Sequence, residues 1–84
     1  MSLTQGAKIP NHHFAVVPSD TVDFTQAAIS IFVGVAGDVT AVMGGDAVKY
    51  IAIAGQTITG NFSRVDATGT DATDMVGQSV ILET

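Results

Sequence analysis

Hydrophobic and polar residues alternate with a period of two along several short segments, which is the pattern of β-strands. The clearest alternation lies in AAISIFVGVAGD, residues 27–38, where one side carries Ile29, Ile31, Val33 and Val35. The opposite side carries Ala, Ser, Phe and Gly, so neither side is strongly polar. We therefore expect a strand buried on both sides, either by the protein's own layers or by another subunit.

Five further segments have strand character and are separated by turn residues. They are FAVVPSD (14–20), VTAVM (39–43), AVKYIAI (47–53), TITGNFSRV (57–65) and MVGQSVILET (75–84). Pro18 ends the first of them, because proline cannot donate to a strand ladder. In TITGNFSRV, Ile58 and Phe62 alternate with polar residues and are expected to face the core. The segment TVDFTQ, residues 21–26, is too short to assign.

Two Gly-Asp turn signals lie in the middle of the chain. AGD (36–38) predicts a hairpin in which Gly37 supplies a positive φ, and GGD (44–46) predicts a second turn. Turn signals recur every eight to twelve residues, and no segment has a helical period. The sequence therefore predicts an all-β fold, a small antiparallel sandwich or barrel with tight Gly/Asp turns and an extended N-terminal arm.

Length and composition indicate one small domain that needs support. A chain of 84 residues buries only about 60% of its unfolded surface, and disulfides, metals or oligomerisation usually compensate. The chain has no cysteine, and only 13% of its residues are charged, against about a quarter in ordinary domains. We expect residues 14–84 to form the β domain and to self-associate. Residues 1–13 form an arm, either a disordered tail or a strap on a neighbouring subunit.

The net charge of −5 excludes partners that need a basic surface. The cations are Lys8, Lys49 and Arg64, which form no cluster, so neither nucleic acid nor a membrane surface is an expected partner. The weakly polar run 27–36 is half the length of a membrane span. The N-terminus lacks the apolar core of a signal peptide, which predicts a cytoplasmic site of synthesis. Lys49 and Arg64 are expected to be solvated, or paired with acids within or between subunits.

The segment RVDATGTDATDM (64–75) contains three aspartates, Asp66, Asp71 and Asp74. A calcium loop needs denser oxygen ligands and a distal bidentate glutamate, and neither is present. Ala, Thr and Gly between the acids are turn formers, and Asp and Thr side chains tie down loop backbones. The segment is therefore predicted to be a corner between two strands, and no metal is expected.

Other candidate chemistry is equally sparse. His12 and His13 point to opposite sides of an extended segment, so they do not chelate one ion without distant partners. Ser19, His13 and Asp20 nominally make a triad, but no nucleophile elbow or oxyanion loop accompanies them. GVAG (34–37) and GG (44–45) precede no lysine or helix and are interpreted as turn glycines. We predict no catalytic, cofactor-binding or metal-binding residue and no cofactor.

Four pieces in register resemble the head-spike base proteins of gene transfer agents and tailed phages or prophages. They are FAVVPSD (14–20), VGVAGDV (33–39), GGDAV (44–48) and RVDATGTDAT (64–73), and their order and spacing fit the family over roughly residues 14–76. The resemblance implies a compact β domain in a symmetric homo-oligomer, a trimer or a pentamer, on the capsid. It also implies contacts with the major capsid protein and possibly a fibre protein. The chain departs from the family pattern at TGNFSRV and in its closing GQSVILET.

The expected function is that of a non-enzymatic virion structural protein, a homo-oligomeric spike base or a decoration or cement module on a phage-like capsid. Its expected location is the capsid surface, after assembly in the bacterial host cytoplasm. The alternative is a host-glycan or calcium-dependent receptor-binding module. Such modules usually rely on aromatic platforms, and this chain offers only Tyr50 and four phenylalanines.

Overall fold

Seven β-strands and no helix make up the secondary structure of residues 11–80, the part of the chain that this computed structural model describes. The strands are β1 (His12–Ala15), β2 (Ala28–Val35), β3 (Gly37–Met43), β4 (Asp46–Ala52), β5 (Thr57–Phe62), β6 (Arg64–Asp66) and β7 (Thr73–Ser79). The predicted all-β fold is confirmed. Nothing in this range is a helix able to cross a membrane. Residues 1–10 of the predicted arm lie outside the described residues, as do residues 81–84.

The strands form two antiparallel sheets that enclose one core. The first sheet has the order β1-β7-β2-β5, and the second has the order β4-β3-β6. The chain changes sheet after β2, after β4, after β5 and again after β6. Within residues 11–80, β3 and β4 are the one pair of consecutive strands joined by a tight hairpin. The result is a small sandwich.

The hairpin between β3 and β4 turns at Gly44 and Gly45, as predicted. Their φ values are 60° and 86°. Two consecutive positive values are typical of a type I′ turn, which matches the twist of the paired strands. Nothing lies within 4 Å of a Cβ built at either position, so the positive φ, and not close packing, favours glycine there.

The predicted hairpin at AGD (36–38) is wrong. β2 and β3 belong to different sheets, and Gly37 is not among the glycines with a positive φ. The chain instead passes a corner where the backbone of the β6–β7 connection crosses it closely. A Cβ on Gly37 would lie 2.6 Å from the backbone nitrogen of Ala72. Glycine is needed here for close approach and not for its left-handed conformation. Gly34 likewise lies within β2 and not in a turn.

TITGNFSRV, predicted as one strand, is divided between the two sheets. β5 pairs with β2 and β6 pairs with β3, and Ser63 lies between them. The Ser63 N–H donates to the carbonyl of Val42 at 2.9 Å, which turns the chain into the second sheet. The prediction that Ile58 and Phe62 face the core is confirmed, since both are buried.

The core lies between the sheets and is made of small aliphatic side chains around one aromatic ring. Its largest fully buried hydrophobic side chains are Phe62, Ile31, Val33, Val39 and Val65. Tyr50 contacts the Phe62 ring edge-on, with ring centroids 6.1 Å apart.

The long strand β2 is fully buried on one side and only partly buried on the other, where Ser30 is buried. Ile31 and Val33 are fully buried, but Phe32 on the other side is 42% exposed. The pairing of β2 with β5 shifts between Ala28 and Ser30, so Ala28, and not Ile29, enters the core. Burial of the second side by the protein's own layers is therefore incomplete, and its burial by another subunit remains a prediction.

Candidate interaction surfaces

An open groove with a volume of about 470 Å³ lies beside the edge strand β1. We call it the β1 groove and define it by His12, Phe14, Val17, Val22, Asp23 and Phe24. Val17 and Val22 are 73% and 66% exposed, so the groove presents apolar side chains to solvent. It is mainly apolar, with Asp23 as its acidic group.

Glycine in β7 makes room for the aromatic wall of this groove. Phe14 pairs with Gly77 across the sheet, and a Cβ on Gly77 would lie 2.5 Å from the Phe14 ring. The ring therefore lies against the bare backbone of β7. Phe24 contacts Phe14 edge-on at 5.0 Å between centroids, and His12 stacks on Phe14 at 6.0 Å. Three rings from two segments thus form one surface.

The loop that carries Val22 and Phe24 is held by hydrogen bonds at several points. The Ser19 hydroxyl accepts from the N–H groups of Thr21 and Val22, at 3.2 and 3.1 Å, which makes a local turn. The Phe24 N–H donates to the carbonyl of Ser63 at 2.8 Å. The segment TVDFTQ (21–26), which its sequence pattern left unassigned, is therefore a loop held by hydrogen bonds and has no strand structure.

Arg64 links the groove to the second sheet through two ion pairs. Its Nε donates to Asp66 at 2.8 Å and its Nη1 donates to Asp23 at 2.9 Å. These bonds, first that to Asp66 and then that to Asp23, raise the pKa of Arg64. Both ion pairs lie within one chain, so Asp23 is held at the groove by Arg64.

A second apolar surface lies on strand β4, one of the two outer strands of the three-stranded sheet. We call it the β4 surface and define it by Lys49, Ile51 and Ile53, which stand at alternate positions along β4 and just beyond its end. Ile51 and Ile53 are 81% and 68% exposed, and Val48, on the other side of the strand, is 52% exposed. Lys49 reaches Asp38 only at 3.6 Å, and both side chains are well exposed, so this ion pair contributes little energy. Exposed aliphatic side chains on an edge strand favour pairing with another chain.

The three acids of the predicted corner lie in three separate environments. Asp66 pairs with Arg64, and Asp71 accepts a 2.6 Å hydrogen bond from the N–H of Asp38 at the start of β3. Asp74 lies in β7 with a φ of 55°, opposite Gly34, whose missing Cβ leaves space for it. The predicted corner between two strands is confirmed, since the segment joins β6 to β7. No group of three metal-ligating side chains occurs within residues 11–80.

The nominal triad is not assembled among these residues. The Ser19 hydroxyl accepts the turn hydrogen bonds, and the Asp20 carboxylate accepts from the N–H and hydroxyl of Thr68 at 2.9 and 2.7 Å. His13 is exposed on β1 and pairs across the sheet with Gln78. No hydrogen bond in the described part of the chain joins His13 to Ser19 or to Asp20.

Asp20 should give the fold a measurable acid dependence. The Thr68 N–H and then the Thr68 hydroxyl hold the pKa of Asp20 below its ordinary value of 3.8. The ionised form therefore stabilises the folded state at neutral pH, and this contribution is lost as the pH falls through the folded-state pKa. Urea unfolding followed by circular dichroism should show Asp20→Asn less stable than wild type at pH 7, with the difference shrinking as the pH falls below 3.8 and through the folded-state pKa.

Asp46→Asn is the matched control for this prediction. Asp46 is exposed at the start of β4, and its side chain makes no hydrogen bond within residues 11–80. Its replacement should leave the unfolding midpoint close to that of wild type. A difference between Asp20→Asn and wild type that stays constant from pH 7 to pH 2 would contradict the assignment.

No local sequence pattern marks the β1 groove. Phe14 and Gly77 are 63 residues apart and meet because β1 pairs with β7, and Phe24 contacts the Phe14 ring from the loop that follows β1. The excess of weakly polar surface was detectable from the low charge content, but its division into a groove and an edge strand was not.

The described residues present two exposed apolar patches on a small β-sandwich, and most of their aspartates make structural contacts. No family model matches the sequence, and no curated protein matches it. Among solved structures, the chain is similar to one from the capsid of a native gene transfer agent particle computed with C5 symmetry. The two are 27% identical with a TM-score of 0.77, over 94% of this chain and 100% of that one. This likeness supports a phage-like virion structural protein.

Proposed function

We propose that the protein is a non-enzymatic structural component of a phage-like virion, a homo-oligomeric spike base or a decoration or cement module on the capsid surface. Its partners are further copies of itself, the major capsid protein and, for a spike base, a fibre protein. Assembly takes place in the cytoplasm of the bacterial host.

One observation carries this proposal. The chain from the gene transfer agent capsid has the same fold over its whole length, and the sequences still agree at 27% of positions. The surface chemistry agrees, because the exposed groups of the β1 groove and the β4 surface are mainly aliphatic and aromatic.

The function would then be mechanical. Apolar surface removed from water stabilises a contact by about 25 cal/mol per Å². A small domain that is marginally stable alone gains stability from each such contact. The acidic remainder of the surface keeps unassembled copies apart and soluble.

Attachment to particles tests the proposal directly. Particles from a strain that lacks this gene are incubated with the purified chain and separated on a density gradient. We expect the chain to sediment with the particles at a fixed ratio, and cryo-electron microscopy to show added density on the capsid. Recovery of the chain only in the soluble fractions, with no added density, would contradict the proposal.

The alternative, a host-glycan or calcium-dependent receptor-binding module, is favoured by one feature. The β1 groove combines aromatic rings with the polar Asp23, Thr25 and Gln26, as many sugar sites do. Calorimetry with host glycans, with and without calcium, tests it. Binding heat that disappears in Phe24→Ala would support a glycan site. Heat that requires calcium and disappears in Asp71→Ala with Asp74→Ala would support the calcium-dependent form.

A further inference from the structure

The β1 groove and the β4 surface differ in shape, and both are left uncovered in the single chain. The first is concave and carries exposed Val17 and Val22 beside the Phe14 and Phe24 rings. The second is an edge strand with exposed aliphatic side chains, and β4 pairs with β3 on one side only. A natural edge strand is normally protected by charge, by proline or by a covering element. On the side of β4 that carries Ile51, Lys49 is the charged residue of the strand, with Asp38 of β3 beside it.

The charges on the two surfaces are opposite. Lys49 is the basic residue of the β4 surface, and Asp23 is the acidic residue of the β1 groove. Each already has an ion-pair partner in its own chain, Asp38 for Lys49 and Arg64 for Asp23, but the two side chains are 55% and 58% exposed, so both remain accessible to a neighbour. Arg64, the other Lys or Arg side chain among residues 11–80, is committed to Asp66 and Asp23. In a chain of net charge −5, a contact between copies that includes Lys49 avoids repulsion between acids.

We propose that the β4 surface of one copy docks into the β1 groove of the next, in a head-to-tail contact. Ile51 and Ile53 fill the groove against Val17, Val22 and the aromatic rings, and Lys49 approaches Asp23 of the neighbour. A contact between two different surfaces generates a ring when the rotation between copies closes and an open filament when it does not, whereas one self-complementary patch makes a dimer. This inference rests on the homo-oligomer of the proposed function and specifies its interface.

Two matched double variants test the contact. Ile51→Glu with Ile53→Glu alters the β4 surface, and Val17→Glu with Val22→Glu alters the groove. All four side chains are mostly exposed, so the fold should survive, and circular dichroism verifies this. Each variant adds the same two charges. Burying uncompensated carboxylates should raise the dissociation constant roughly 100-fold or more, and each variant should sediment as a monomer where wild type forms an oligomer.

Mixing the two variants distinguishes a head-to-tail contact from a symmetric one. The β4 variant keeps an intact groove, and the groove variant keeps an intact β4 surface, so one productive contact remains. We expect a one-to-one heterodimer in sedimentation velocity that does not grow into a ring. A control, Thr57→Glu with Thr59→Glu on the exposed face of β5, adds the same charge and should leave the oligomer intact.

Several outcomes would overturn the inference. They are a wild-type chain that remains monomeric at its highest soluble concentration, an oligomer that persists in either double variant, and a mixture that stays monomeric. If the groove variant still forms the oligomer but no longer binds capsids or glycans, the groove belongs to another partner and the head-to-tail contact is wrong. The proposed function is measured separately by attachment of wild type to particles. Wild type that forms the ring without attaching would refute that function and leave the interface standing.

Discussion

Replacing Gly37 by alanine should destabilise the fold by about 3 kcal/mol, a large share of the stability of a domain this small. The added Cβ would lie 2.6 Å from the Ala72 nitrogen and 2.8 Å from the Ala72 Cα. Neither atom can move away easily. The N–H groups of Asp71 and Ala72 both donate to the carbonyl of Asp38, and the Asp71 carboxylate accepts from the Asp38 N–H. A methyl group at residue 37 therefore opens the corner that joins the two sheets.

Gly55→Ala provides the control for this effect. Nothing lies within 4 Å of a Cβ at Gly55, but its φ is 85°, so alanine there should cost only about 1 kcal/mol for the left-handed backbone. Urea unfolding at one low protein concentration compares the two variants without a contribution from assembly. Equal unfolding midpoints for Gly37→Ala and Gly55→Ala would show that the corner has room for a side chain.

Gly37 also shows what a sequence pattern cannot specify. Ala-Gly-Asp between two hydrophobic runs is a common hairpin signal, and at Gly44 and Gly45 the equivalent interpretation is correct. The difference lies in a non-local contact: Asp71 and Ala72 return to cross the chain at Gly37 more than thirty residues later. Local propensity is the same for a turn glycine and for a glycine that makes room for another backbone.

The strands themselves were largely predictable, because each leaves a local trace of alternation. Ile58 and Phe62 face the core as the period of two requires, and Tyr50 and Lys49 lie on opposite sides of β4. Assignment of strands to sheets was not predictable. The break at Ser63 depends on its hydrogen bond to Val42, which β3 supplies from elsewhere in the chain.

The existence of exposed apolar surface was predictable from composition, but its position in the fold was not. A charged fraction of 13% indicated apolar surface that another molecule would cover. Where that surface lies depends on which strands become edges, and β1 and β4 are edges only because of the sheet order. Asp23 and Lys49 carry the opposite charges of the two surfaces, yet nothing in their sequence neighbours marks either as part of a contact.

Truncating Phe62 to alanine should have the largest effect of any single side-chain deletion in this core, about 3–5 kcal/mol. Phe62 is fully buried and is the largest side chain in that state. It is also the last residue of β5, immediately before the chain crosses to β6 through Ser63. Its loss removes buried apolar area, leaves a cavity between the sheets and deprives the Tyr50 ring of its edge-on partner.

Phe62→Leu separates the effect of the cavity from the effect of losing the aromatic contact. Leucine restores most of the volume but not the aromatic contact, and it should cost about 1.5 kcal/mol or less. Phe62→Ala should show a markedly lower urea midpoint and an altered near-ultraviolet signal from Tyr50, the only tyrosine in the chain. Because the small core has few other large side chains to close the cavity, little relaxation is expected. A midpoint for Phe62→Ala close to that of Phe62→Leu would mean that the sheets collapse onto the space, and that Phe62 does not set their separation.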